Sequence, residues 1–197
     1  MHDKMTLDSH LTGPLNAIHG EGKLKMIELH IPGLYFQGVN GSISYDGEKL
    51  DFKDVTANVY GGKLQAEGSY DLDTRYYQIH VVGENLQSSK ALPNSHLYCN
   101  VMVDIYMNSK GNAKEATASG NFTSGEGRYR RIPVKRITAS FQQSYRDLRF
   151  YDVTIDFAGF SVATDALEIK DKKLSLGPIF VKDSSGRDIS TLDLGRR

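Results

Sequence analysis

Residues 41–68 read GSISYDGEKLDFKDVTANVYGGKLQAEG, and the alternation within this stretch decides the fold class. Ile43-Ser44-Tyr45, Leu50-Asp51-Phe52, Val55-Thr56-Ala57-Asn58-Val59 and Leu64-Gln65-Ala66 each set an apolar side chain at every second position. Successive side chains of a strand point to opposite faces, so each run predicts a strand with one apolar and one polar face. Between the runs, Asp46-Gly47 and Gly61-Gly62 supply the positive φ of a two-residue hairpin turn, and Asn40-Gly41 does so just upstream. The order is that of an antiparallel meander. The apolar residues change parity between Phe52 and Val55, which requires a bulge or turn near Lys53-Asp54.

The same period recurs at Ile79-His80-Val81, Val101-Met102-Val103-Asp104-Ile105 and Leu148-Arg149-Phe150. Nineteen residues are Gly against 5 Pro, and 11 Tyr with 8 Phe accompany no Trp, a composition suited to many short strands and tight turns. A helix of one or two turns is expected only over Leu86 to Leu92, ahead of Pro93-Asn94. Asn108 to Lys114 reads as a loop. The expected fold is all-β: an antiparallel meander forming a twisted, folded-over sheet with an apolar interior and at most one or two short helices.

Leu50-Asp51-Phe52-Lys53-Asp54-Val55-Thr56 returns 98 positions later as Leu148-Arg149-Phe150-Tyr151-Asp152-Val153-Thr154. Gly20-Glu21-Gly22-Lys23-Leu24 returns 105 positions later as Gly125-Glu126-Gly127-Arg128-Tyr129. Two landmarks recurring in order, with slipping loops between them, are what stacked β units produce. The chain reads as a single continuous segment over 1–197: unit one at about 20–86, connecting strands at 87–119, unit two at about 120–176 and a C-terminal strand at 177–197. The polar start at Met1 and the end at Gly195-Arg196-Arg197 suggest a piece of something larger, whose first and last strands would present unpaired backbone.

Several function classes lose support. The 24 Lys+Arg balance the 24 Asp+Glu, leaving no electrostatic footprint for nucleic acid. No apolar run approaches the roughly 20 residues of a membrane-spanning helix. Cys99 is alone, so no disulfide and no cysteine metal site forms within the chain, and its strand-like flanks predict a small buried thiol. The histidines at 2, 10, 19, 30, 80 and 96 lack metal-ligand spacing and are expected at surfaces or edges. Asp54 and Asp152 could pass for a glycosidase pair, but their place in a repeat argues for hydrogen bonding to backbone at strand starts. Gly20-x-Gly22 and Gly125-x-Gly127 precede no helix that could seat a phosphate. Arg128-Tyr129-Arg130-Arg131 with Lys135-Arg136 is the one basic cluster; in a strand Arg128 and Arg130 would share a face, a solvated edge or a lipid-headgroup contact. No catalytic residue, metal or cofactor is expected.

The assembled pattern resembles the AsmA-like superfamily of diderm bacterial envelope proteins, the group of TamB and YhdP. The phrases are Gly41-Ser42-Ile43-Ser44-Tyr45-Asp46-Gly47, the L-x-F-x-D-V of Leu50 to Val55, the Y-G-G-x-L-x-x-x-G of Tyr60 to Gly68, and the closing strand Tyr77 to Leu86. Ala118 to Phe122 and Gly125 to Val134 follow, so the resemblance runs from about Gly20 to Leu176. It departs where Ala158-Gly159-Phe160 replaces Tyr60-Gly61-Gly62, and in having no amino-terminal anchor. The resemblance implies a periplasmic, inner-membrane-anchored lipid-transport protein. Its β-groove would shield phospholipid or other acyl chains between the two membranes, with flanking repeats and membrane proteins as partners.

The groove-lining residues would be Ile43, Tyr45, Leu50, Phe52, Val55, Val59, Leu64, Ala66, Ile79, Val81, Val101, Val103, Ile105, Leu148, Phe150, Val153, Ile155 and Phe157. From the residues alone, a sheet closed on its own side chains satisfies the pattern as well as a groove does. A non-catalytic adhesion, carbohydrate-binding or spacer module is the alternative function.

Overall fold

Each alternating run becomes a strand that pairs with the next along the chain. The computed structural model describes residues 5–12, 19–31, 34–145, 147–171 and 173–189. Strands β1 (Met5–Thr12), β2 (His19–Ile31), β3 (Leu34–Tyr45), β4 (Lys49–Val59), β5 (Gly62–Asp71) and β6 (Tyr76–Gln87) lead to one short helix, α1 (Ser88–Ala91). Strands β7 (Leu97–Lys110), β8 (Thr117–Tyr129), β9 (Ile132–Val134), β10 (Arg136–Ser144), β11 (Asp147–Asp156), β12 (Phe160–Lys170), β13 (Lys173–Leu176) and β14 (Ile179–Asp183) complete it. All belong to one 14-stranded antiparallel sheet in near-sequential order, with β9 on the end of β8 and both β13 and β14 on the outer edge of β12. His2 and the last residues of the expected C-terminal strand lie outside the described residues.

Substantial contacts between elements run only between sheet neighbours, plus α1 and a 3-10 turn (Ala113–Glu115) against the strands beside them. The chain exposes 14101 Å². That is about half as much again as the roughly 9,300 Å² expected of a compact protein of this mass. Among the described residues no large side chain is fully buried. Ser88 fixes α1 to the sheet: its hydroxyl donates to Leu97 O at 2.8 Å and accepts from Cys99 N at 2.9 Å.

The parity change is a bulge. In β4 the register slips between Phe52 and Val55, and Asp54 takes φ +51°. In β11 it slips against β10 beside Asp152, at φ +52°. Gly38 in β3 (φ +60°) and Asn85 in β6 (φ +56°) make equivalent insertions, and β8 carries an extra residue between Ser124 and Gly127. A left-handed residue costs least as Gly, Asn or Asp, whose short side chains tolerate it. Each bulge turns the following apolar residues back onto the face they would otherwise leave.

The positions of the turns need correction. Asn40-Gly41 lies inside β3, where Gly41 admits the Val55 side chain and a Cβ would stand 2.7 Å from Val55 Cγ2. The β4–β5 turn is Tyr60-Gly61 (φ +50° and +78°), one residue earlier than expected, because Gly62 already pairs with Val59. Asn108 to Lys110 extends β7, since Tyr76 to Gln78 pair with it, and the loop starts at Gly111. Asp54 and Asp152 sit within strands, so their role is conformational. Arg130 (φ +54°) occupies a turn, so it does not share a strand face with Arg128.

Carboxylates order other turns. Asp46 Oδ1 accepts from Lys49 N at 2.8 Å and Glu48 N at 3.2 Å, and Asp71 Oδ1 from Thr74 N at 2.7 Å and Asp73 N at 3.1 Å. Backbone donation by Lys49 and by Thr74 holds these two carboxyls below their ordinary value; at Asp183 the Ser185 hydroxyl does so first.

A carboxyl lowered in the folded state stabilises the fold above its unfolded value of 3.8 and loses that contribution as pH falls through the folded value. The thermal midpoint should therefore fall below about pH 4, and less steeply in the triple variant Asp46→Asn/Asp71→Asn/Asp183→Asn; equal slopes would remove these turns as the cause. At the bulge, Asp54→Gly should keep or raise the midpoint, whereas Asp54→Val should cost about 1–2 kcal/mol in a denaturation curve.

Candidate functional site

Register identifies one continuous apolar face. Val55, Ala66, Val81, Ile105, Gly120, Phe141, Phe150, Leu167 and Leu176 stand opposite one another in succession, one residue per strand from β4 to β13. At roughly 4.8 Å per strand this row is on the order of 38 Å long. Beside it run Ile43, Phe52, Gly68, Ile79, Met107 and Ala118 on one side, and Leu64, Gly83, Val103, Phe122 and Ala139 on the other. Tyr45, Leu50, Tyr70 and Tyr77 form a row near one end of the strands. Near the other end, Ile137, Ile155, Val162 and Val181 form another. The opposite face is polar, as in the succession Glu67, His80, Tyr106, Ser119, Gln142, Arg149, Glu168 and Ser175.

The residues expected to line an interior thus share one face. Val59 and Val81 are buried, and Ile43, Tyr45, Leu50, Phe52, Val55, Leu64, Ala66, Ile79, Val101, Val103, Ile105, Leu148, Phe150, Val153 and Ile155 are half-buried. Phe157 lies beyond the end of β11, in a turn closed by Phe157 N donating to Phe160 O, its ring stacked on Phe160 at 4.7 Å. The second unit's return therefore differs from the left-handed pair Tyr60-Gly61. Sequence reading missed Phe122, Phe141, Leu167 and Ile169 on the same face; the alternation Gly120-x-Phe122 and Ala139-x-Phe141 is the signal that finds the first two. Phe150 contacts Phe122 edge-on at 6.2 Å and Phe141 at 6.3 Å.

Two glycines mark close approaches between neighbouring strands. A Cβ at Gly68 would meet Gln78 O of the neighbouring strand and stand 2.8 Å from Ile79 Cα; at Gly120 it would meet Asp104 O and stand 3.0 Å from Ile105 Cα. Both point to the apolar side, so neighbouring backbone approaches closely on that side where these pairs meet.

The polar face carries a group that spacing did not disclose. His80 Nε2 is 2.8 Å from Asp104 Oδ1 and its Nδ1 is 3.7 Å from Glu67 Oε1, with the ring stacked on Tyr106 at 4.2 Å. The three partners come from β5 and β7 on either side of β6, so only the register assembles them. Among the described residues no set of three His, Cys, Asp or Glu is placed to hold a metal ion. Asp54 and Asp152 are separated by five intervening strands and form no carboxylate pair. Cys99 is buried and free. No described helix is long and apolar enough to cross a membrane. No protein-family model, curated protein or solved structure matches this chain.

The two faces predict opposite responses to one chemical change. Asn58→Asp, on the polar face, should shift stability by no more than about 0.5 kcal/mol. Val59→Asp places a charge at a site only 3% exposed and should cost several kcal/mol in the same denaturation assay. Ile79→Asp, at a half-buried position, should fall between them.

Proposed function

We propose that the chain is a segment of a lipid-transport protein whose apolar face shields phospholipid acyl chains, a β-groove of the kind its resemblance to AsmA-like proteins implies. The observation that carries this reading is the continuous row from Val55 to Leu176, buried at Val81, exposed at Leu176, half-buried between and at Val55 and Ala66, and covered by no second layer of described structure. Each such side chain leaves roughly 1 kcal/mol of transfer free energy uncollected, which an acyl chain lying against it would collect. Flanking repeats would continue the trough toward the inner and outer membranes, placing this segment in the periplasm.

Native mass spectrometry and lipid extraction of the purified chain test the proposal. Phospholipid or another acyl-chain lipid should accompany the parent. Ile105→Asp and Phe150→Asp should lose it while retaining the strand signature in circular dichroism, because a charge facing an open trough can be hydrated. A parent that never carries or takes up lipid, together with variants that unfold, would mean a face that serves only as core.

A carbohydrate-binding module is the second reading, and Tyr106 is the observation that favours it. The residue is 55% exposed on the polar face, its ring backed by His80, beside a shallow depression lined by Asp51, Glu67, Gln78 and Asn108. Glycan binding abolished by Tyr106→Ala, with no lipid in the parent, would favour that reading.

A further inference from the structure

Residues 128–136 read RYRRIPVKR, five basic side chains and no acidic one, in a chain whose net charge is zero. They form the β8–β9 hairpin and its exit: Arg128 pairs with Pro133, Tyr129 with Ile132, and Arg130-Arg131 make the turn. The Arg128 guanidinium lies over the Tyr98 ring at 4.0 Å and donates from Nη1 to Arg130 O at 2.9 Å, which holds the turn against β7. Among the described residues only Arg136 of the five has a carboxylate partner, Asp156 at 3.3 Å. Tyr98, Tyr129 and Ile132 are 42, 43 and 51% exposed among these charges.

We infer that this hairpin is a docking tip for an anionic lipid surface. Guanidinium groups match the paired oxygens of lipid phosphates, and each basic side chain near an anionic bilayer surface is worth about 1 kcal/mol, a roughly five-fold gain in partition. Tyrosine and isoleucine between the arginines suit the boundary between headgroups and acyl chains, which a free phosphate or a nucleic-acid backbone would leave unused. The inference does not rest on the trough: it concerns where the sheet's end meets a membrane, whatever its apolar face carries.

The test is co-sedimentation with phosphatidylcholine vesicles made with and without phosphatidylglycerol. Anionic vesicles should pellet the parent and neutral ones should not, and raised salt should release it. Arg130→Gly/Arg131→Gln, in which glycine accepts the φ of +54°, should lower partition about thirty-fold. Arg131→Gln/Lys135→Gln should do the same at positions with ordinary backbone, and Lys23→Gln/Lys25→Gln, of equal charge change on exposed positions of β2, should bind more tightly than either hairpin variant.

Undiminished binding by both hairpin variants, equal binding to neutral vesicles, equal loss in the β2 variant, or full release by inorganic phosphate at constant ionic strength would each overturn the inference. Lipid content is read in parallel. Hairpin variants that keep co-purified lipid but miss the vesicles support the tip, and a parent without lipid that still pellets with anionic vesicles rejects the trough alone.

Discussion

The ladder of backbone hydrogen bonds between successive strands is the constraint on which everything else depends. In a protein with two packed layers, apolar contact between layers shares the task of holding elements in register. Here each strand is held by the strands beside it, and its apolar side chains touch mainly their counterparts in the same row. Burial follows from this: smaller side chains such as Val59, Val81 and Ala139 are covered, whereas Phe52, Phe150 and Leu167 are half-covered. A sheet built this way keeps its register only if no strand loses its one-sidedness, because a slip by one residue would exchange the faces.

That requirement explains the bulges. A strand of ten or more residues on a strongly twisted sheet cannot bend and keep strict alternation, and an inserted residue lets it do both. The insertion is cheapest where a residue accepts positive φ, and Asp54, Asn85, Asp152 and Gly38 are the residues found there. The recurrence of Asp in Leu-x-Phe-x-Asp-Val-Thr is thus a record of backbone geometry. The carboxylates themselves are exposed and lie on strands far apart in the sheet.

Strand existence and facing were legible because period-two alternation and the parity break between Phe52 and Val55 are local signals. Turn placement was less legible: Gly41 and Gly62 resemble turn residues, yet each is a glycine within a strand, present because a neighbouring side chain or strand comes close. Non-glycine residues such as Tyr60, Arg75 and Arg130 hold positive φ in turns where sequence offers no hint of it. The full extent of the apolar face was legible only in part. Leu167 and Ile169 join it through cross-strand register, and the His80, Glu67 and Asp104 group is invisible in sequence because its members lie on three different strands.

Glycine on the apolar face bears on how closely the strands approach one another there. An unfilled volume forfeits contact energy, and this face leaves none at its glycines: Gly68 stands between Phe52 and Ile79, and Gly120 between Ile105 and Phe141, with the neighbouring backbone drawn in so closely that no Cβ fits. The large neighbours cover backbone that glycine would otherwise expose. The close approach of these strands is therefore written into the chain and exists without any ligand. A ligand that meets an apolar row already formed spends little of its binding energy on shaping the site, which allows a long, weakly featured apolar molecule to be held along its length without being held tightly at any one point.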